Sequence, residues 1–381
     1  MRLWKPEQLA EFEADAATER QLHPKPASAS AKSVTYKFST SSFLRNSYRN
    51  PWGFIRSSRM LEDLDALAAM IAVDHCTTTS AGGELFWPVM VTASVDRITI
   101  AENAALDRDM TLRGSVKWTG GSSLQIAMRC DFARFTFVTR SRGSGRSTPV
   151  PQLVLESPVQ EQEFRRVQHV MDRRRLQRTA GAGGAAAEAG EAFVRAQALL
   201  AEGELLRAMP CRAGSDAVLI RDTALSSVIL CMPQERNTAD RIFGGFLMSR
   251  ALELAFTAAY NAFGTVPATS LVDEVEFGRP VDVGDILKLN ACILSTRCYD
   301  DGRAPRASVE VLAHVLRPTE PSTRLSNRFD FTFSFPALVG ARADGGGSEE
   351  APRVKRVLPS DMNEALRVAQ VSFISPLTVM S

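Results

Sequence analysis

Met232-Pro-Gln-Glu-Arg-Asn-Thr-Ala-Asp-Arg-Ile-Phe-Gly-Gly-Phe-Leu-Met248 runs without a break into Ser249-Arg-Ala-Leu-Glu-Leu-Ala-Phe-Thr-Ala-Ala-Tyr260, and its reading decides the fold. A polar loop carrying Asn237 leads through the pair Gly244-Gly245 into an Ala-rich apolar helix. The first N–H groups of a helix have no partner within it and sit at the positive end of its dipole, and glycine leaves them unhindered. In outline this is an oxyanion hole, a set of fixed donors for a carbonyl oxygen.

Downstream lie Ser270-Leu-Val-Asp-Glu-Val-Glu-Phe277 and Arg279-Pro-Val-Asp-Val-Gly-Asp285, a strand followed by a polar turn. Upstream, Ser58-Arg-Met-Leu-Glu-Asp-Leu-Asp-Ala-Leu-Ala-Ala-Met-Ile-Ala-Val-Asp-His-Cys76 reads as the same kind of helix, and Val91-Thr-Ala-Ser-Val-Asp-Arg-Ile98 parallels Ser270–Phe277. In both copies an apolar helix precedes a strand with a Val-Asp pair, a polar turn and further alternating strands. The spacing predicts two similar units in tandem.

These strings together resemble the hotdog acyl-CoA thioesterases, and among them most of all the mitochondrial kind that carries two such domains in one polypeptide. The first-domain signature of that kind is Arg59-Met-Leu-Glu-Asp-Leu-Asp65 here; the second is Pro233-Gln-Glu-Arg-Asn237 before Ile242-Phe-Gly-Gly-Phe-Leu-Met248. The resemblance is dense from 216 to 335. It implies an α+β fold of two hotdog domains, each a long central helix wrapped by an antiparallel sheet, packed as an internal pseudo-dimer. The divisions expected are an N-terminal extension at 1–50, hotdog domains at 51–160 and 216–335, a helical and Ala/Gly-rich linker at 161–215, and a C-terminal tail at 336–381. The substrate implied is acyl-CoA, with no cofactor beyond the coenzyme A it carries and no metal.

At about 100° per residue, Leu61, Leu64, Ala68, Ile71 and Ala72 fall on one arc of the first helix, while Glu62, Asp63 and Asp74 fall opposite. Asp65 lies on the apolar arc, where a carboxylate is costly. Either it is paired structurally or it is functional, and the resemblance implies the second, an acid that directs the hydrolytic water. On the second helix its place is taken by Leu252, and Glu253 reads as a solvated or ion-paired residue. The loop before the first helix is read as lacking both Asn and Gly-Gly, offering only Gly53-Phe-Ile-Arg-Ser-Ser58. The expectation is one composite site, with Asn237, Gly244 and Gly245 meeting Asp65 and the opposite corner dead. Gly120, Gly121, Ser122 and Ser123 form a turn that either contacts coenzyme A, as the resemblance implies, or is a plain hairpin.

Bulk properties restrict the alternatives. A chain of 381 residues, 45% of them hydrophobic, buries two ordinary cores, and a net charge of +2 gives no global field for nucleic acid. There is no acid between Glu19 and Glu62, but there are eight cations, Arg20, Lys25, Lys32, Lys37, Arg45, Arg49, Arg56 and Arg59, in what reads as a solvated extension or a polyanion contact. No G-x-S-x-G elbow is present, and none of His23, His75, His169 and His314 lies in the loop before either central helix, which argues against serine hydrolases and dehydratases. No stretch is long and apolar enough to cross a bilayer. A mitochondrial location and assembly into homo-oligomers follow from the resemblance alone, since Glu7, Glu11, Glu13, Asp15 and Glu19 are at odds with a presequence. The rival reading is an inactive scaffold subunit of a larger, ribonucleoprotein-like assembly.

Overall fold

The computed structural model describes residues 22–336 and 354–369, apart from 80–84, 87, 97, 100–103, 130–132, 142–145, 180–184, 213, 215, 238–239, 274, 300–302 and 321. Two helices of 20 residues, Ser57–Cys76 and Gly244–Phe263, organise it. Each is Ala- and Leu-rich, so one stripe packs on a sheet while small residues let the two helices meet. Leu61, Leu67, Ala68, Ile71 and Ala72 of the first are fully buried, as are Met248, Ala251, Ala255 and Ala259 of the second.

The first helix lies on a six-stranded sheet in the order Val275–Glu276, Val89–Val95, Ala133–Arg140, Ser123–Arg129, Met110–Thr119, Lys32–Tyr36. The second lies on Leu225–Leu230, Ile286–Arg297, Arg306–Arg317, Ser322–Ser334, Ala268–Val272, Ile98–Thr99. All neighbours in both sheets are antiparallel. Each sheet ends on a two-residue strand from the other half: Val275 pairs with Val95, and Val272 with Ile98. That exchange ties the units together and covers one edge of each sheet.

The repeat is closer in structure than the sequence strings indicate. Loops before the two helices each close with an antiparallel bridge, Arg49 with Ile55 and Arg236 with Ile242. Each turns on a positive φ, at Gly53 (90°) and Asp240 (56°). Every one of these landmarks, and each helix start, is displaced by 187 residues (57 to 244). In the strands, bulges fall between Thr92 and Ser94 and between Thr269 and Leu271, which matches Thr92 with Thr269. The parallel of Val91–Ile98 with Ser270–Phe277 sets Val91 against Ser270 instead, two residues off. A slip of two leaves the same residues facing the core, so hydrophobic patterning does not detect it.

Several expectations change. Residues 22–50 are not a solvated extension: Lys32–Tyr36 is an edge strand, and Tyr36, Phe38 and Tyr48 are buried core. They cover the helix face expected to be exposed, so Asp63 is 4% exposed and accepts hydrogen bonds from the Tyr36 hydroxyl at 2.7 Å and from the Tyr48 hydroxyl. The cations of this segment are largely spent within the chain, Lys32 on Asp74 (2.5 Å), Lys37 on Asp109 (3.3 Å), Arg56 on Glu253 and Arg59 on Glu62 (2.8 Å), which removes the support for a polyanion contact; Arg20 lies outside the described residues.

The end of the chain is likewise more than a tail where it is described. Arg356–Leu358 pairs in parallel with Ala217–Leu219, and the helix Met362–Ala369 sends Arg367 to Glu310, which is 1% exposed and also meets Arg328 at 3.1 Å. A buried carboxylate requires such partners. In the linker, Pro158–Thr179 and Ala185–Glu202 are helical, the second starting inside the Ala/Gly run because alanine favours helix. Arg174, on the first of these helices, pairs with Asp96 at 3.1 Å. Among the described residues no helix is long and apolar enough to cross a membrane.

Candidate active site

The two central helices meet where Gly245 begins one and Asp65 completes the second turn of the other. The Gly245 N–H donates to Asp65 Oδ2 at 2.6 Å, across 180 positions of sequence. Glycine is required there for approach as well as for access. A Cβ on Gly245 would stand 3.0 Å from Glu62 Cα, 3.1 Å from Asp65 Cβ and 2.8 Å from the Phe243 ring, and one on Gly244 would stand 3.1 Å from Asp65 Oδ2. The Gly-Gly pair therefore lets one helix start sit directly against the side of the other.

Asp65 is fully buried. Its other oxygen, Oδ1, accepts from the Thr92 hydroxyl at 3.2 Å. Burial pushes the carboxyl from its ordinary 3.8 up to about 7, against the pull of the Gly245 amide and the Thr92 hydroxyl, both of which favour the ionised form. A group with that value exchanges a proton readily near neutrality, as a general base must.

Asn237 lies in the loop that opens the second helix. Its Oδ1 accepts from the Arg241 N–H at 3.2 Å, and its own N–H donates to the Arg241 carbonyl at 2.6 Å. The side chain thus fixes the loop that delivers Gly244 and Gly245. Gly120, Gly121, Ser122 and Ser123 form the hairpin turn between Met110–Thr119 and Ser123–Arg129, with the Gly120 N–H on the Ser123 carbonyl at 2.8 Å. The carbonyls of Gly120, Gly121 and Ser122 accept from Gln152, Val150 and Thr139, all within the first unit, so this turn is not hydrogen-bonded to the Asp65 corner. The arrangement brings together Asp65, Gly244 and Gly245.

Two residues escaped the sequence reading. Thr92 holds the second oxygen of Asp65, and its only signal is a place on the helix-facing side of a strand. Asn50 is the counterpart of Asn237, so the first loop does possess an Asn; its Oδ1 accepts from the N–H groups of Trp52 (3.0 Å) and Phe54 (2.9 Å). The shared Arg-Asn dipeptide and the spacing to Ile55 and Ile242 were its signal, masked by Pro51-Trp52 standing where the second loop has Thr238-Ala239.

At the opposite corner Ser58 stands in place of Gly245 and Leu252 in place of Asp65. Glu253, one step further along the helix, accepts from the Ser58 hydroxyl at 2.8 Å, from Arg56 Nε at 3.0 Å and from Arg250 at 3.0 Å. It is an ion-paired residue, in agreement with the sequence reading.

No protein-family model matches the chain. Individual proteins do. It is 36% identical over 379 residues to the chloroplastic acyl-coenzyme A thioesterase 2 of Humulus lupulus, spanning 96% of this chain and 84% of that protein. To the mitochondrial acyl-coenzyme A thioesterase 4 of the same plant it is 37% identical over 380 residues, 96% of this chain and 69% of the other. The mitochondrial acyl-coenzyme A thioesterase 9 of Bos taurus is 31% identical over 336 residues, 84% of this chain and 74% of that one.

Proposed function

The chain belongs to the acyl-coenzyme A thioesterase family, and from that premise we propose that it cleaves acyl-CoA to free acid and coenzyme A at the corner where Asp65 meets Gly245, between two hotdog units in tandem. The observation that carries this placement is the 2.6 Å bond from the Gly245 N–H to Asp65 Oδ2, which joins a helix-start donor to a carboxyl poised near neutrality. Asp65 takes a proton from the attacking water; the new C–O bond pushes charge onto the carbonyl oxygen, the tetrahedral intermediate collapses, the C–S bond breaks, and the proton goes to the leaving thiolate.

Acid and oxyanion meet on one amide. While Asp65 is ionised, the Gly245 N–H holds it in place. Once it has accepted the proton, charge resides on the substrate oxygen, and an N–H bonds an anion more strongly than a neutral carboxyl. The donor therefore follows the charge, at the positive end of the helix Gly244–Phe263. Asn237 orients the carbonyl or the water through its amide and holds the loop. The turn Gly120-Gly-Ser-Ser123, a mitochondrial location and assembly into homo-oligomers belong to the same proposal, the turn as a contact for the coenzyme A portion.

The test is hydrolysis of a panel of acyl-CoAs by the wild type and by Asp65→Ala and Asn237→Ala, with folding checked by circular dichroism. Loss of turnover in both folded variants is expected. Robust turnover in either removes that residue from the mechanism, and no turnover by the wild type on any thioester would refute the proposal.

A further inference from the structure

The corner opposite Asp65 holds a cavity of about 680 Å³, within the roughly 300–1,000 Å³ of small-molecule sites. It is lined by the counterparts of the catalytic corner: Asn50 for Asn237, Ser58 for Gly245, Leu252 for Asp65 and Thr269 for Thr92. Leu64, Ile98, Met110, Leu252 and Phe256 give it an apolar interior, while Arg49, exposed, and Asn50 stand at the loop side. The rings of Trp52 and Phe256, 5.3 Å apart and tilted by 40°, wall one flank.

The chemistry of this corner differs from its twin in each element hydrolysis needs. Leu252 carries no proton-accepting group. The carboxylate beside it, Glu253, is held by two guanidinium groups, Arg56 and Arg250, and by the Ser58 hydroxyl, so its oxygens are already engaged within the chain. The helix start presents a serine side chain where the other presents bare glycine backbone. What survives is a polar mouth with a cation, leading to an apolar interior between two helices.

We propose that this second corner is a non-hydrolytic binding site for a linear acyl chain with an anionic head, the chain lying between Leu64, Met110 and Phe256 and the head meeting Arg49 and Asn50. The choice of ligand rests on the thioesterase reading; the cavity and its lining do not. A free fatty acid and an acyl-CoA share this chemistry, and both are arms of the test.

Calorimetric titration counts sites on the folded full-length chain with the dodecyl thioether of coenzyme A, which cannot be hydrolysed. Expected are two molecules per wild-type chain and one per chain of Ala104→Trp, since Ala104 lines the cavity and an indole there fills it. One molecule on both proteins, or two on both, overturns the proposal. Should Ala104→Trp fail to fold, Phe256→Ala serves: the widened cavity is expected to favour longer thioethers at the second site by tenfold or more, and an unaltered chain-length profile counts against the site. Dodecanoate that competes only for the site lost in Ala104→Trp identifies free acid as the occupant; a site filled by the thioether and indifferent to dodecanoate identifies acyl-CoA. Turnover that survives Asp65→Asn and disappears when Glu253→Gln is added would make the corner hydrolytic and overturn its non-hydrolytic character. A wild type that binds two thioethers yet hydrolyses no acyl-CoA would refute the catalytic proposal and leave this site standing.

Discussion

Asp65→Asn separates the electrostatics of the buried carboxyl from its chemistry. A carboxyl displaced by burial from 3.8 to about 7 binds its proton more tightly in the folded chain than in the unfolded one. The folded state is therefore favoured by this group at low pH, and that advantage is lost as pH rises from about 4 through about 7. Asparagine keeps the shape and an oxygen for the Gly245 N–H but does not ionise. Each tenfold difference in proton affinity is worth about 1.4 kcal/mol, so between pH 5 and pH 8 the stability of Asp65→Asn relative to wild type is expected to rise by about 3 kcal/mol. Urea denaturation of both proteins at intervals of half a pH unit measures this, because other titrating groups cancel in the difference. Over the same range wild-type kcat/KM climbs with a midpoint near 7, and the variant loses about 10²–10⁴-fold in turnover, the usual worth of a general base. A stability difference that stays flat across pH 5–8 would refute the claim that Asp65 is held in an ionisation-averse site, and with it the reason for assigning it the proton transfer.

Three further outcomes follow from the same contacts. Thr92→Val removes a donor to the ionised form and is expected to move the activity midpoint upward by about one pH unit; a midpoint that falls or stays would remove Thr92 from the tuning of Asp65. Gly245→Ala forces a methyl to within 3.0 Å of the Glu62 backbone, so the helices must part; a loss of about 1–3 kcal/mol in urea stability is expected together with reduced kcat, and full activity in a stable variant would contradict the close approach. Arg367→Met leaves the buried Glu310 with Arg328 alone and is expected to cost about 2 kcal/mol, below the roughly 3–5 of a pair that loses its sole partner; hydrogen exchange at 356–369 reads whether that segment is released.

Much of the site was legible because helices and loops write their geometry locally. A period of 3.6 put Asp65 on the buried stripe, and the residue is indeed fully buried. Gly-Gly before an apolar run announced a helix start free of side chains, although both glycines are buried against the other helix. The place of residues 22–50 was not legible, since the strand Lys32–Tyr36 finds its partner at Met110–Thr119 and its short mixed pattern has no face of its own until that sheet exists. Asp63 looked solvent-facing for the same reason: the two tyrosines that cover it arrive from outside the helix.

The chain's order of residues by itself pointed to a repeated helix-and-strand unit, its antiparallel layering, and, on different copies, the Gly-Gly pair and the Asp65 carboxyl that the structure brings together. Periodicity and backbone demands at glycine act within a few residues of each other, so they can be read from a string. Tertiary packing decided that the Gly245 amide lies on Asp65 rather than facing an open cleft, that Thr92 shares that carboxylate, and that the wide cavity belongs to the opposite corner. Those outcomes depend on how closely two helices pack and which distant strands cover them, distances that no local pattern encodes.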